Sequence, residues 1–133
     1  MNERKIGKVL VVGASGLLGR AVVRALDGRT EVVLASRKGS PQTVDIADQE
    51  SIEALFGRVG TVDAIVCVAG MVRFVPWANV TDDDWAHGLS QKLMGQVSLV
   101  RIGTPFVRDG GSIILTTGVL AQYPIPGSSI VTT

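Results

Sequence analysis

Residues 9–20, Val-Leu-Val-Val-Gly-Ala-Ser-Gly-Leu-Leu-Gly-Arg, decide the fold of this chain. Four aliphatic residues, typical of a buried strand, lead into three glycines spaced three apart, and an apolar helical pattern follows. A helix that begins at such a turn presents backbone N–H groups to a phosphate. We expect Gly13 to permit the turn, Gly16 to let the backbone approach a pyrophosphate, and Gly19 to let the helix pack closely on the strand.

The composition favours a single α/β domain with an aliphatic core. Hydrophobic residues make up 46% of the chain and aromatic residues 5%, which argues against a β-sandwich or a disordered chain. Residues 1–133 fit one domain that is long enough to bury a core. The net charge of +1, without a basic cluster interleaved with aromatics, argues against a nucleic-acid partner.

Cysteine content and hydropathy restrict the chemistry and the location. Cys67 is the single cysteine, which excludes an intramolecular disulfide and a cysteine-rich zinc site, and we predict no metal site. The N-terminus enters a strand-length apolar run instead of a signal-peptide core, and no segment approaches the length of a membrane span. We therefore expect a cytoplasmic protein with no membrane contact.

Hydrophobic periodicity predicts alternating strands and helices. The predicted strands are residues 6–12, 31–36, 43–46, 62–68 and 112–117, and the predicted helices are residues 16–26, 48–58 and 81–103. On the first helix we expect Leu18, Val22, Val23 and Leu26 to face inward. Strands that are apolar on both faces imply a parallel sheet covered on both sides. Right-handed crossovers then predict a Rossmann-like, doubly wound sheet in the order 3-2-1-4-5.

Turn and capping signals mark the ends of these elements. Gly28 is a predicted C-cap, and residues 110–111, both glycine, predict a turn into the fifth strand. Asp48 and Thr81 are predicted N-caps. The acidic residues 82–84 suit the first turn of a helix, so capping explains them without a metal ion.

Taken in order, these landmarks resemble the short-chain dehydrogenase/reductase family over residues 6–127. The glycine turn resembles the family's nucleotide turn, although its spacing differs from the usual G-x-x-x-G-x-G. Asp45 stands where the family places an Asp that contacts adenine, and Cys-Val-Ala-Gly at residues 67–70 resembles its Asn-Asn-Ala-Gly strand end. The resemblance implies a nicotinamide cofactor held by Gly13, Ser15, Gly16, Leu18, Gly19, Ser36, Arg37, Asp45, Ile46, Ala69 and Gly70.

The end of the second strand bears on the choice of cofactor. An NAD-binding site usually has Asp or Glu there for the ribose 2′-OH, whereas this chain has Ser36-Arg37-Lys38. Arg37 can form a fork of hydrogen bonds with a 2′-phosphate, and Ser36 can donate one. We therefore predict NADP(H) over NAD(H). The alternative is that Arg37 and Lys38 are solvated loop charges.

The catalytic end departs from the family pattern. Thr117 takes the place of the family's catalytic Ser, but Ile130 stands thirteen residues later, where the family has Tyr. No lysine follows Lys92, and Tyr123 is followed by Pro-Ile-Pro-Gly, so a Tyr-x-x-x-Lys motif is absent. We expect an atypical branch of the family. We also expect a fragment of a longer reading frame, which lacks the family's C-terminal strands.

Lys92 stands where the family's helix carries Asn, and two interpretations stay open. The lysine either brings charge into the site, where it is a candidate catalytic residue, or extends into solvent. For His87 we expect a solvated helix position, and for Cys67 a small buried side chain. Trp85 is expected in the core, whereas Phe74 and Trp77 fit either a pocket or packing.

Two functions are compatible with the sequence. The first is an NADP(H)-dependent oxidoreductase acting on a small carbonyl or alcohol substrate. The second is a non-catalytic NADP(H)-binding sensor or scaffold that has lost the Tyr/Lys pair. A truncated chain that folds poorly is a third, weaker possibility, because its fifth strand would expose an edge. The resemblance also implies a homo-oligomer formed through the 81–103 helix.

Overall fold

The computed structural model describes residues 7–70 and 72–131. Its strands are β1 (Lys8–Val12), β2 (Glu31–Ser36), β3 (Gln42–Thr43), β4 (Val62–Cys67) and β5 (Val107–Leu115). Its helices are α1 (Leu17–Leu26), α2 (Gln49–Val59), α3 (Asp82–Gly88) and α4 (Gly95–Gly103), with a π-helical turn at Leu89–Met94 and 3₁₀ turns at Trp77–Asn79 and Thr104–Phe106. Ile6, predicted to start the first strand, lies outside the described residues.

The described strands form one parallel sheet in the order β3-β2-β1-β4-β5, which confirms the predicted topology. Val12 at the end of β1 pairs with Ala35 of β2 on one side and with Cys67 of β4 on the other. Cys67 in turn pairs with Leu115 near the end of β5. The carboxyl ends of four strands therefore lie side by side, at the edge where α/β proteins bind ligands.

The core has one cluster on each face of the sheet. The larger cluster joins the sheet to α2 and α4 and includes Leu10, Ile52, Phe56, Ile65 and Leu99. Phe56 stacks on Phe106 with ring centroids 4.9 Å apart. The smaller cluster joins the sheet to α1 through Val9, Val11, Ala14, Ala64 and Val66. Ile52, Leu55 and Phe56, on one face of α2, are all fully buried.

The helix caps follow the sequence prediction. The Asp48 carboxylate accepts a hydrogen bond from Glu50 N at 3.0 Å at the start of α2. Thr81 and Asp84 form a reciprocal capping box at the start of α3. Gly28, with φ +72°, lies just beyond the end of α1. Both N-cap predictions are confirmed.

Two strands differ from the prediction in their bounds. β3 is only Gln42–Thr43, because Val44 and Ile46 turn into the core after it. β5 begins at Val107, so the glycines at 110–111 lie within the strand instead of forming a turn before it. The pairing of β4 with β5 shifts register between Val62 and Ala64, and a side chain at Gly111 would overlap the Asp63 carbonyl oxygen. The glycines therefore accommodate an irregularity in the ladder.

The inward face of α1 was predicted correctly except at Leu18. Val22, Val23 and Leu26 pack against the smaller core cluster, but Leu18 is 55% exposed. Gly19 is the residue of α1 that is fully buried against the strand turn. Because Leu18 precedes Gly19 by about 100° around the helix, its side chain turns toward solvent.

The third predicted helix is divided by the π-helical turn, and its apolar stripe is not its buried side. Leu89, Leu93 and Val97 are exposed, whereas Gly88, Gly95, Ser98, Leu99 and Gly103 are buried. A side chain at Gly95 would contact Ile46 at 2.8 Å, and one at Gly103 would contact Phe56 at 2.8 Å. The helix therefore approaches the core through its glycines and Leu99, whereas Leu89, Leu93 and Val97 face away from it.

The expectation of a sheet covered on both sides is wrong at β5. No residue of β5 is fully buried, and Ile114 and Leu115 are 51% and 44% exposed. None of the described residues that follow β5 forms a strand or an α-helix to cover it. Within the described residues, no helix is both long and apolar enough to span a membrane.

Candidate active site

A cavity of about 300 Å³ lies at the carboxyl edge of β1, β2 and β4. Every predicted cofactor-binding residue except Leu18 and Gly19 lines it: Gly13, Ser15, Gly16, Ser36, Arg37, Asp45, Ile46, Ala69 and Gly70. Lys38 and Gln91 also line it, and the position of Gln91 was not predicted. Residues far apart in the sequence meet here because the strands are parallel and end at the same edge.

The glycine turn has the geometry that a phosphate group needs. Gly13 has a φ of +91°, and a side chain there would lie 2.7 Å from Ala69 N. A side chain at Gly19 would overlap the Gly13 carbonyl oxygen, so Gly19 sets the close packing of α1 on the turn. At Gly16 the nearest atom to an added Cβ is the Gly13 carbonyl oxygen at 3.5 Å, which leaves room in the cavity. The turn therefore fits a pyrophosphate at the start of α1.

The loop after β2 is braced from within by Ser36. The buried Ser36 hydroxyl donates to the Lys38 carbonyl oxygen at 2.6 Å and shares a 2.7 Å hydrogen bond with the Ser40 hydroxyl. The proton that we expected Ser36 to offer to a 2′-phosphate is therefore used inside the loop. Arg37 and Lys38 place two cationic side chains at this end of the cavity.

Asp45 and Ile46 are fixed on the opposite wall, between β3 and α2. The Asp45 carboxylate accepts a hydrogen bond from Ala47 N at 3.0 Å, and the Asp45 backbone N–H donates to the Ser51 hydroxyl at 2.9 Å. Ile46 is buried beneath α4 at the close approach of Gly95. The wall is therefore held by local hydrogen bonds and by core packing.

Lys92 points into the site, and the solvent interpretation is wrong. Its Nζ lies 3.4 Å from the Ala69 carbonyl oxygen and 3.3 Å from the Thr116 hydroxyl, between the ends of β4 and β5. Its side chain crosses over Gly70, where an added Cβ would lie 2.6 Å from the Lys92 Cδ. The ammonium group is thus held by two strand ends.

Thr116 was not predicted as a site residue, whereas its neighbour Thr117 was; the role of Thr117 toward a substrate stays a prediction. The Thr116 hydroxyl donates to the Cys67 carbonyl oxygen at 3.1 Å and accepts from Lys92. The Gln96 side chain donates to the Thr116 carbonyl oxygen at 3.4 Å. Thr117 is exposed and makes none of these contacts. Neighbouring residues at a strand end point to opposite sides, and only the pairing of β5 with β4 shows which one meets Lys92.

A second cavity, of about 900 Å³, continues from the first at Gly70. Gln91 lines the first cavity and Lys92 the second, so the π-helical turn separates them. Thr116 and Thr117 stand at its polar end. Its remaining wall is largely apolar and includes Leu89, Leu93, Val97, Leu115 and Ile130.

No tyrosine side chain occupies the place of the family's tyrosine, because residue 130 is isoleucine and Tyr123 lies elsewhere. Ile130 is buried, and its side chain fills the space that a Gly88 side chain would need. Tyr123 is 71% exposed and does not line the second cavity. Within the described residues, the site therefore contains no phenol beside Lys92.

Cys67 and His87 are the remaining candidates. Cys67 is buried as expected, and burial raises the pKa of its thiol above its ordinary value, although a backbone hydrogen bond from Ala69 and the charge of Lys92 act in the opposite direction. His87 is half-buried instead of fully solvated, and its carbonyl oxygen accepts a hydrogen bond from the Ser90 hydroxyl. No cluster of metal-binding side chains occurs among the described residues.

The aromatic residues before α3 stay outside the site. Phe74 and Trp77 are exposed, and neither lines either cavity. Trp85, expected in the core, is half-buried and meets Trp77 edge-on with ring centroids 6.5 Å apart. The core ends at α4 and does not extend to α3, which explains why Trp85 is only partly covered.

The chain is similar to known proteins over most of its length. Residues 9–102 match the model of the NAD dependent epimerase/dehydratase family. The solved structure of the protein lin1944 from Listeria innocua is 40% identical and has a TM-score of 0.92, over 95% of this chain and 63% of its own. Carbonyl reductase (NADPH) 2 from Sus scrofa is 27% identical, over 90% of this chain and 56% of its own length.

A solved small-chain dehydrogenase in complex with NADPH shares the fold. It is 24% identical and has a TM-score of 0.86, over 96% of this chain and 57% of its own. Measured against these relatives, the chain spans between 56% and 63% of their length.

Proposed function

Because the chain belongs to the NAD dependent epimerase/dehydratase family, among the short-chain dehydrogenases/reductases, we propose that it is an NADP(H)-dependent oxidoreductase. It transfers a hydride between the nicotinamide and a small carbonyl or alcohol substrate. The observation that carries the proposal is the first cavity, in which the glycine turn, Arg37 and Asp45 line one continuous space. In the family resemblance, these residues hold the pyrophosphate, the 2′-phosphate and the adenine.

The preference for NADP(H) rests on the charges at the end of β2. Arg37 and Lys38 line the cavity, and no carboxylate stands at residues 36–38. A carboxylate there would repel a 2′-phosphate, whereas a guanidinium group binds it with two parallel hydrogen bonds. The Ser36 hydrogen bonds hold the loop so that both cations stay at this edge.

The cofactor supplies the hydride, and the chain supplies binding and position. The Gly13 and Gly16 N–H groups donate to the Ala35 and Gly13 carbonyl oxygens. A phosphate would therefore be met by the N–H groups of the first turn of α1, which have no partner within the helix, with space left at Gly16. Ala69 and Gly70 line the first cavity, and Gly70 is shared with the second, so these residues would border a bound nicotinamide. The second cavity then takes the substrate, with Lys92, Thr116 and Thr117 at its polar end.

Nucleotide titrations test the proposal and are the first prediction. NADPH and NADH are titrated into the purified 133-residue chain and binding is followed by nucleotide fluorescence. We expect tighter binding of NADPH. Arg37→Asp should weaken NADPH binding about 10- to 100-fold, since a hydrogen bond to a charged group contributes about 1.5–3 kcal/mol, and should leave NADH binding within about threefold.

Arg29→Asp is the matched control, because it makes the same charge change in the exposed turn after α1. It should leave the ratio of the two affinities unchanged. Equal affinity for the two nucleotides, or binding of neither, would contradict the proposal.

A non-catalytic NADP(H)-binding sensor or scaffold is the second candidate. The observation that favours it is Ile130, which is buried where the family has its tyrosine and cannot transfer a proton. This function predicts tight NADPH binding without oxidation of NADPH on a panel of aldehydes and ketones. Turnover of any member of the panel, above that of heat-denatured protein, decides for the oxidoreductase.

A further inference from the structure

We propose that Lys92 is a catalytic residue: its ammonium group binds the oxygen of a carbonyl substrate and donates the proton that completes its reduction. Thr116 is the positioning residue that holds this ammonium group. The inference rests on the proposed function, because it assigns the missing proton donor of the same reaction. It explains how the site can work with Ile130 in place of a tyrosine.

The first argument is the location of the Lys92 ammonium group. It lies between the ends of β4 and β5 and lines the second cavity beside Gly70. Gly70 also lines the first cavity, which we call the dinucleotide cavity after its proposed ligand. A substrate oxygen bound at this junction of the two cavities would lie beside the ammonium group. Arg101, the other cationic side chain of the cavity wall, belongs to the last turn of α4, more than two helical turns beyond Lys92.

The second argument is the hydrogen-bond count around Lys92. An ammonium group has three N–H donors. Within the described residues two acceptors are present, the Ala69 carbonyl oxygen at 3.4 Å and the Thr116 hydroxyl at 3.3 Å. Both distances are long for N–H···O bonds, so these acceptors hold the group in place without saturating it. Counted over residues 7–70 and 72–131, one donor is left for a ligand.

The third argument is that Thr116 cannot itself be the proton donor. Its single hydroxyl proton is donated to the Cys67 carbonyl oxygen at 3.1 Å, and its oxygen accepts from Lys92. Gln96 lies one helical turn after Lys92, and its side chain donates a hydrogen bond to the Thr116 carbonyl oxygen. Thr116 is thereby fixed to β4 and to α4 and directs the Lys92 ammonium group toward the junction.

The fourth argument is the π-helical turn that carries Lys92. Such turns are rare and occur frequently at functional sites. Here the turn at Leu89–Met94 places Gln91 on the dinucleotide cavity and Lys92 on the second cavity. Gly70 has no side chain to obstruct the Lys92 methylene groups. The π-helical turn that carries Lys92 and the glycine that its side chain crosses therefore both favour its inward position.

The chemical step balances with the groups already named. The carbonyl carbon accepts a hydride, with both of its electrons, from the reduced nicotinamide, which is thereby oxidised. The π electrons of the carbonyl move to its oxygen, which takes a proton from the Lys92 ammonium group. The products are an alcohol, the oxidised cofactor and a neutral Lys92 amine, and the amine regains a proton from water in the open cavity.

Isobutyrate is the probe for the oxygen-binding half of the inference, and this is the second prediction. Its carboxylate imitates the developing alkoxide, and its isopropyl group suits the apolar wall. We titrate it into the full chain with and without NADPH, by calorimetry. Lys92→Met should weaken isobutyrate binding at least tenfold, Thr116→Val about threefold, and Lys92→Arg should keep it within threefold. NADPH affinity should stay within twofold in all three variants.

Lys8→Met is the matched control, because it makes the same substitution at the amino edge of the sheet, where Lys8 Nζ donates to the Val59 carbonyl oxygen. It should bind isobutyrate like the wild type. Wild-type protein that does not bind isobutyrate, or Lys92→Met protein that binds it equally well, overturns the inference. Failure to bind NADPH overturns the proposed function instead, while the isobutyrate titration still decides the role of Lys92.

Steady-state kinetics with an aldehyde and NADPH test the proton-donating half. Lys92→Met should lower kcat at least ~100-fold, as expected for loss of a general acid, without raising the KM for NADPH. Lys92→Arg should restore isobutyrate binding but not kcat, because a guanidinium group retains its proton. If Lys92 had a purely structural role, Lys92→Arg would change isobutyrate affinity and kcat together. Equal kcat in wild type and Lys92→Met, or no turnover by the wild type, overturns the proton-donor assignment.

Discussion

β1 and β5 lie on opposite sides of β4 and each contains a run of at least three aliphatic residues, yet they differ in burial. In β1, Val9, Leu10, Val11 and Val12 are all buried, because β2 and β4 flank the strand and α1 and α2 cover the sheet. In β5 no residue is fully buried, although Ile113, Ile114 and Leu115 are equally apolar. Aliphatic content therefore identifies a strand, but the elements packed on the strand determine what it contributes to stability.

The two halves of the site follow the same division. The dinucleotide cavity is built on β1, β2 and β4, within the closely packed part of the chain. The second cavity is bordered by β5 and by the exposed stripe of α4, where the packing is open. The proposed role of Lys92 would place catalysis in the less covered half, and the predictions below measure how different the two regions are.

The largest effect is expected from removing the same side chain in both strands. Leu10→Ala in β1 empties a fully buried position and should cost about 3–5 kcal/mol of unfolding free energy. Leu115→Ala in β5 removes a side chain that is 44% exposed and should cost less than about 1 kcal/mol. Urea unfolding followed by circular dichroism measures both. Similar losses in the two variants would mean that β5 is as well packed as β1.

A smaller effect is expected from adding one methyl group to a glycine. Gly19→Ala should lose about 2 kcal/mol and weaken NADPH binding, because its Cβ would overlap the Gly13 carbonyl oxygen and displace the turn. Gly57→Ala on α2 is the control, since no atom lies within 4 Å of its added Cβ. There the substitution should gain up to about 1 kcal/mol through helix propensity. Equal effects of both substitutions would contradict the close packing at the turn.

The smallest effect is expected at the start of α3, which is held by local hydrogen bonds. The Thr81 backbone N–H, followed by the Thr81 hydroxyl, lowers the pKa of Asp84 below its ordinary value, and Arg73 adds to this at 3.2 Å. The stabilisation is therefore present above the ordinary carboxyl pKa and is lost as the pH falls through the lowered pKa of the folded state. NMR titration of the carboxyl carbon measures it.

Asp84→Asn should remove this pH dependence and should equal the wild type in stability only under acidic conditions. Asp109→Asn, an exposed carboxylate on β5, is the control and should leave the acid dependence of the wild type in place. An Asp84 carboxyl that titrates at or above its ordinary pKa would contradict the capping box.

Much of the fold was predictable, because it depends on short-range patterns. Strand order followed from alternating apolar runs and right-handed crossovers, and the caps at Asp48 and Thr81 followed from residue type alone. The meeting of residues from β1, β2 and β4 at one cavity was also predictable, because the carboxyl ends of parallel strands meet at one edge. The inward orientation of Leu18 was wrong, since a one-residue difference around a helix exchanges core for solvent. The roles of the lining residues toward a cofactor stay predictions. A homo-oligomer through the 81–103 helix stays a prediction.

The sequence by itself determined the strand, glycine turn and helix of residues 8–26, the cations after β2, and the absence of a Tyr-x-x-x-Lys motif. Only the tertiary structure decided that Lys92 turns inward, that Thr116 and not Thr117 holds it, and that α4 meets the core through glycines. The physical reason is the distance along the sequence between the residues that interact. Turns and caps are set by neighbours along the chain, whereas the direction of a side chain at a cavity is set by strands that meet only after folding.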